Sequence, residues 1–238
     1  QQSPWAERLH ALVVLDGPDV GHITARALAC RRFDITVSGT GGHSWSDRGM
    51  ANPVHAMARA VAWFCDEREA GGAEAPSSWN FGVIEGGATV NAIPSSARVK
   101  VDLRSQSAAA LDELAAALES AFERAVKREN ELARCGRVSV RLRETGSRPG
   151  GALAPDSPLL AAIRSVDACL GIRSELDCAS TDANVPLSMG LPAISIGAGG
   201  SGGGAHTPNE WYSPEGRELG LRRIALLLAL VLEGLPRP

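Results

Sequence analysis

Residues 33–64 read FDITVSGTGGHSWSDRGMANPVHAMARAVAWF. A change of period inside this stretch decides the fold. Phe33, Ile35 and Val37 alternate with Asp34 and Thr36, the period of a half-exposed strand. Asn52-Pro53 then offers an N-cap and a proline at the first helical position. Val54, Met57, Val61 and Phe64 follow at helical spacing. Moving outward, Trp79 to Glu85 reads as a strand, and Val99, Val101 and Leu103 alternate. Ser107 caps a second helix with Leu111, Leu114, Leu118 and Phe122 on one face, and Val138, Val140 and Leu142 alternate again. The order β-α-β-β-α-β is the split unit of ferredoxin-like folds. It occupies about residues 31–145.

The flanks read differently. Ala11 to Leu15 is a short apolar run that stops at Asp16-Gly17-Pro18. Pro192 to Ile196 is a second run, ending in the glycine-rich Gly197 to Gly204. Both read as buried strands with loops at their C-terminal ends, as in α/β sheets. Ser157-Pro158 opens a helix carrying Leu159, Ile163, Val166 and Leu170, and Ser213-Pro214 opens a last one reaching about Glu233. The expected architecture is α/β. Residues 1–30 and 146–238 form one domain, interrupted by the ferredoxin-like insertion at 31–145.

Composition bounds the function. A net charge of −3 on 238 residues argues against non-specific binding to nucleic acid or an anionic membrane. Five cysteines at irregular spacing favour a reducing compartment, the cytoplasm, over a disulfide framework, with a removed signal peptide as the open alternative. The longest apolar run, Ile224 to Leu232, falls far short of the roughly 20 residues of a membrane span. The chain starts at Gln1-Gln2 rather than Met, as a processed molecule or a piece of a longer one would.

Several residues could carry chemistry. His206 follows Gly202-Gly203-Gly204-Ala205, where glycines let the backbone bend around a site and imidazole can bind a metal. Asp16 ends a strand. It reads either as a turn residue or as a hard oxygen ligand. His43 follows Gly41-Gly42. Asn91 reads as a turn residue, and Arg104 as a strand-end charge or a two-pronged carboxylate grip. His10, His22 and His55 read as ordinary polar residues. The glycine run lacks the phosphate-loop pattern, and it lacks a dinucleotide fingerprint in a strand-to-helix context.

Five segments, in order, resemble the di-zinc peptidases and deacylases that include peptidase T, glutamate carboxypeptidase, aminoacylase and succinyl-diaminopimelate desuccinylase. They are LVVLDG (12–17), SGTGGHSWSDRGMANPV (38–54), EGGATVNAIPSSARVKVDLRS (85–105), STDANVPLSMGLPAISIG (180–197) and GGGAHTPNEWY (202–212). STDAN followed by AHTPNEW is most similar to the peptidase T branch. The resemblance implies a partial zinc-peptidase catalytic domain with an inserted lid that mediates a homodimer. It implies one zinc on Asp16, another on His206, and amide hydrolysis of a short peptide or N-acyl amino acid. It also implies that His43 reaches the partner's site to stabilise the oxyanion, and that Asn91 and Arg104 bind a substrate carboxylate.

The family's H-x-D segment, bridging aspartate and Glu-Glu pair precede the DG strand. Here only Gln1 to Leu15 precede Asp16, with Glu7 the sole acid. The expectation is therefore the C-terminal part of such an enzyme, with weak or absent zinc binding and no activity alone. The alternative is a non-catalytic dimerisation or ligand-binding module of the same descent. A serine or other metal-free hydrolase is a weak third reading. Leu12, Val14, Leu15, Ile194 and Ile196 are expected to form an exposed apolar patch.

Overall fold

The computed structural model describes residues 8–70 and 76–234. In chain order its elements are β1 (Leu12–Leu15), β2 (His22–Ala27), β3 (Ala29–Ser38), β4 (Gly42–His43), α1 (Pro53–Ala70), β5 (Ser77–Gly86), β6 (Ala92–Ile93), β7 (Ser96–Ser105) and α2 (Ala108–Leu132). They continue as β8 (Ser139–Arg148), β9 (Gly151–Ala152), α3 (Pro158–Leu170), β10 (Glu175–Ala179), α4 (Asn184–Ser188), β11 (Ala193–Ile196), β12 (Ser201–Gly203), β13 (Trp211–Ser213) and α5 (Arg217–Gly234). Two units result: residues 29–148, and the flanking residues up to 28 with those from 149 onward.

In the inner unit four antiparallel strands run in the order β5-β7-β3-β8, which is the ferredoxin-like arrangement. Asn52 caps α1 by accepting from the Val54 N–H (2.9 Å), with Pro53 at the first helical position. Ser107 caps α2 through the Ala110 N–H (3.3 Å). Alternation then sorts the strands: Phe33, Ile35, Val37, Val99, Val101 and Leu103 enter one core with Met57 and Phe64 of α1 and Leu118 and Phe122 of α2. Buried Glu129 ties the helices together, accepting from the Asn52 N–H (2.9 Å) and Arg59 Nη1 (3.0 Å).

The polar face of β3 differs from expectation. Asp34, on the face read as exposed, is buried. Arg98 grips both its oxygens (2.7 and 2.6 Å) and Arg143 adds a third bond (2.9 Å). The Arg98 bonds hold the carboxyl well below the usual carboxylate range against the opposing pull of burial, and Arg143 adds to the effect. A depressed carboxyl contributes stability above its unfolded value of about 3.9, and that contribution is lost as pH falls toward its folded value. Asp34→Asn is expected to cost about 1–2 kcal/mol at pH 7, since half-exposed Arg98 regains water. Thermal scans should show the gap from wild type narrowing between about pH 4 and pH 2.

The flanking unit holds a mixed sheet in the order β1-β11-β2-β10, with β9 also on β2. β1 pairs β11 in parallel, β10 pairs β2 in parallel, and β11 and β2 are antiparallel. Ile23, Ile194 and Ile196 pack with Leu159 and Ile163 of α3 and Leu227 of α5. Ala27 and Ala193 pack with Ala183 and Leu187 at α4, joined by Leu12 and Val14.

Three readings of this unit need correction. β2 was not foreseen, because HITARA holds a single large apolar side chain, Ile23, among small and polar residues. The last helix starts at Arg217, not at Ser213-Pro214: Ser213 ends β13, and Gly216 holds a left-handed turn (φ 77°) that delays the helix. The expected patch is not assembled either, since Ile194 and Ile196 lie beneath α3 and α5 and only Leu15 of the five is exposed (52%). Exposed leucines gather instead on α5, at Leu221, Leu228 and Leu232. No helix among the described residues is long and apolar enough to cross a membrane.

Candidate active site

Parallel pairing of β1 with β11 brings their C-terminal ends side by side, Leu15 opposite Ile196. The two following turns are then stitched together. Asp16 N–H donates to Ile196 O (3.0 Å), Ala198 N–H to Gly17 O (3.0 Å) and Gly199 N–H to Asp19 O (3.0 Å). Glycine is required where they cross. A Cβ on Gly197 would lie 2.3 Å from Pro18 O and 2.4 Å from Asp19 O.

The glycine run does not open a helix. It becomes β12, which pairs with β13 as a hairpin whose tip carries residues 204–210. Gly199-Gly200-Ser201-Gly202-Gly203 fits the letters G-x-S-x-G. Ser201 nevertheless begins a hairpin strand, not the strand-to-helix turn that a nucleophile elbow needs.

At the tip, Thr207 donates through both Oγ1 (2.7 Å) and N–H (3.0 Å) to Gly204 O, and His206 N–H donates to Glu210 Oε2 (3.2 Å). His206 itself is left-handed (φ 65°), a conformation that side-chain-bearing residues rarely hold outside turns and functional sites. Its imidazole is exposed and makes no hydrogen bond among the described residues. Gly17, next to Asp16, and Ala205, next to His206, line one cavity of about 460 Å³ together with Glu210, Trp211 and Arg217. The strand end that carries Asp16 and the loop that carries His206 thus border one hollow through their neighbours, while Asp16 and His206 are not among its lining residues.

Whether this hollow suits zinc can be judged from its donors. Zinc centres use three or four protein ligands. Among the described residues no group of three His, Cys, Asp or Glu side chains is placed to share a metal. Asp16 and His206 alone do not fit a complete zinc centre.

The inner unit carries the other three candidates. β4 pairs β6 with His43 opposite Ala92, and Ser44 N–H donates to Asn91 O (3.0 Å). His43 and Asn91 are therefore neighbours. Asp47 fixes the turn by accepting from His43 N–H (2.7 Å). The N–H groups of Trp45 (3.2 Å) and Ser46 (3.3 Å) converge on His43 Nδ1. With Nδ1 accepting, the neutral ring carries its proton on Nε2, as a donor. Thr89 Oγ1 donates to Asn91 Oδ1 (2.8 Å), and among the described residues the Asn91 amide N–H groups make no hydrogen bond.

Arg104 lies elsewhere. It sits eight residues beyond Ser96 on β7, about 27 Å along a strand at 3.4 Å per residue, whereas β4 and β6 adjoin the Ser96 end. Its Nε donates to Asp102 Oδ2 (2.6 Å), and Arg32 Nε donates to Asp102 Oδ1 (2.9 Å). Burial would raise the Asp102 carboxyl, but the bonds from Arg104 and Arg32 outweigh it and hold it low. Among the described residues the outer nitrogens of Arg104 make no hydrogen bond, which leaves them available to a second carboxylate.

Asp47 and Glu210, which hold the two histidine loops, were missed. Asp47 had a signal: an acid four residues after His43 in a glycine- and serine-rich turn, where aspartate binds backbone N–H groups. Glu210 had a weaker one, since Thr207-x-x-Glu210 imitates a helix capping box and here closes a hairpin instead.

Residues 30–130 match the family model of the peptidase dimerisation domain. No curated protein matches the chain. Among solved structures, aminopeptidase PepT from Bacillus cereus ATCC 10987 is similar at 19% identity and a TM-score of 0.76, over 95% of this chain and 59% of that one. A tripeptidase from Staphylococcus aureus subsp. aureus Mu50 is similar at 17% identity and a TM-score of 0.75, over 93% of this chain and 57% of that one. An amidase of the hydantoinase/carbamoylase family from Burkholderia multivorans is similar at 18% identity and a TM-score of 0.67, over 93% of this chain and 55% of that one. At these identities the likeness is one of fold, and the chain spans less than two thirds of each of these relatives. Residues 30–130 thus carry the match to the peptidase dimerisation domain, and over nearly its whole length the chain shares the fold of this aminopeptidase, tripeptidase and amidase.

Proposed function

We propose that these residues serve a metal-dependent amide hydrolase, acting on a short peptide or an N-acyl amino acid, in which the inner unit is the dimerising lid and the flanking unit belongs to the catalytic domain. The observation that carries this reading is the convergence of the Asp16 strand end and the His206 loop on one cavity. Asp16 and His206 each offer one ligand, to separate zinc ions. The further donors would have to come from protein other than the described residues. The 238 residues alone are then poor zinc binders and inactive.

The lid residues have roles that their geometry supports. His43 Nε2–H is a donor suited to the oxygen that becomes negative when an amide is attacked. The free Asn91 amide and the free edge of Arg104 suit a substrate carboxylate. Because they lie at opposite ends of β7, one subunit cannot apply both to one carboxylate. A homodimer can, taking Asn91 and His43 from one subunit and Arg104 from the other.

The test is hydrolysis of a tripeptide and of N-acetyl amino acids by the full-length polypeptide that contains these residues. His43→Ala is expected to lower kcat by about 10²–10³-fold with little change in KM. Sedimentation should report a dimer. A wild type that cleaves neither substrate class would overturn the hydrolase reading, and unchanged kcat in the variant would remove His43 from it.

A further inference from the structure

One charged surface of the inner unit is absorbed by none of these roles. It lies on the sheet face opposite α1 and α2. Thr36 of β3 stands directly between Arg98 of β7 and Arg141 of β8, and one pleat away Asp34 stands between Lys100 and Arg143. Glu85 of β5 completes the row beyond Arg98. Asp34, Thr36, Arg98, Arg141 and Arg143 line a depression of about 280 Å³. The short Thr36 side chain forms its floor between longer neighbours.

The charges do not cancel. Arg98 and Arg143 share the single carboxylate of Asp34. Glu85 approaches Arg98 only to 3.9 Å, from the exposed rim. Arg141 makes no hydrogen bond or ion pair among the described residues, and neither does the Thr36 hydroxyl. Four cations, counting Lys100, face two carboxylates, and two positive charges are left over. Like charges held side by side repel unless an anion joins them. Asp34 meanwhile fixes Arg98 by a two-pronged bond, so its guanidinium is already oriented and loses little freedom on binding.

We propose that this depression binds a small dianionic oxyanion, free phosphate in solution, with Arg141 and the outward edges of Arg98 and Arg143 as donors around the Thr36 hydroxyl. Two uncompensated charges match a dianion. Forked guanidinium donors match tetrahedral oxygens. The hollow is at the lower edge of the roughly 300–1,000 Å³ of drug-sized ligand sites, which favours a bare oxyanion over a nucleotide. Asp34 is a positioning residue here, since it acts through Arg98.

Calorimetric titration of the whole chain with inorganic phosphate tests this, with chloride at matched ionic strength and acetate as separate arms. Saturable binding of phosphate is expected, absent with chloride and weaker with acetate. Arg141→Ala, which removes an exposed side chain without a partner and should leave the circular dichroism spectrum unchanged, is expected to weaken phosphate binding about tenfold or more. Arg141→Lys keeps the charge but not the fork and should fall between. No saturable phosphate binding, acetate binding as tight as phosphate, or full affinity in Arg141→Ala would each overturn the proposal.

Discussion

Asp167→Ala is expected to destabilise the flanking unit by about 3–5 kcal/mol, the largest single effect among the substitutions considered. Arg223 of α5 is fully buried (0% exposed) and clasps Asp167 of α3 through Nε (2.7 Å) and Nη2 (2.8 Å). Ser174 donates to the same carboxylate, and Arg223 Nη1 reaches His22 O (3.4 Å). Removing the carboxylate leaves a guanidinium inside an apolar layer with only a carbonyl for company. Replacing both partners, as Asp167→Leu with Arg223→Leu, is expected to recover much of the loss, because it is the unpaired charge that costs most. Urea unfolding followed by circular dichroism measures both. A cost below about 1 kcal/mol for Asp167→Ala would contradict the buried pairing of α3 with α5.

The pair also bears on the candidate site. Gly220 of α5 presses so closely on the glycine loop that a Cβ there would lie 2.4 Å from Ala198. Arg223 sits one turn further along and fixes α5 in that position. Weakening the pair should therefore loosen the cavity wall as well as the core.

Gly197→Ala is the second large effect. Its Cβ would meet two backbone carbonyl oxygens of the Asp16-to-Asp19 turn, and backbone cannot rotate aside as a side chain can. The turns must separate, breaking the stitching of Ala198 to Gly17 and of Gly199 to Asp19. A cost of about 1–3 kcal/mol or more is expected, as for other overpacked sites. Gly21→Ala is the control. Its nearest neighbour would be the Asp19 carboxylate at 3.8 Å, so it should be nearly neutral. Equal melting temperatures for the two variants would mean that the turns do not cross as described.

The inner unit was legible in the sequence because its signals are local and redundant. Asn52-Pro53 and Ser107 mark helix starts, and the alternation at Phe33, Ile35 and Val37 marks the face that meets the helices. What alternation could not show was that Asp34, polar and on the outer face, is buried by its own arginine partners. Long side chains can cover a neighbour that the period of two leaves open. The flanking unit was harder to read. β2 is spelled HITARA, with alanine at two positions and Ile23 as its single large apolar side chain, too little for a strand signal. The start of α5 was misplaced because Ser-Pro, a good helix opening, was spent on the end of a strand. Among the site segments, the approach of the Asp16 strand end to the loop that carries His206 depends on pairing of β1 with β11, a contact across nearly the whole chain that no local pattern encodes. The separation of Arg104 from Asn91 was equally hidden, since the motif that joins them in sequence is stretched out along one strand.

The zinc content of the purified chain bears most directly on the reading of Asp16 and His206 as part of a metal centre. Equilibrium dialysis against zinc, on wild type, Asp16→Ala and His206→Ala, is the measurement. The expected result is less than one tightly held zinc per chain, with any weak binding reduced in each variant. Two zinc ions held tightly by the unmodified chain, or weak binding that neither substitution alters, would contradict it.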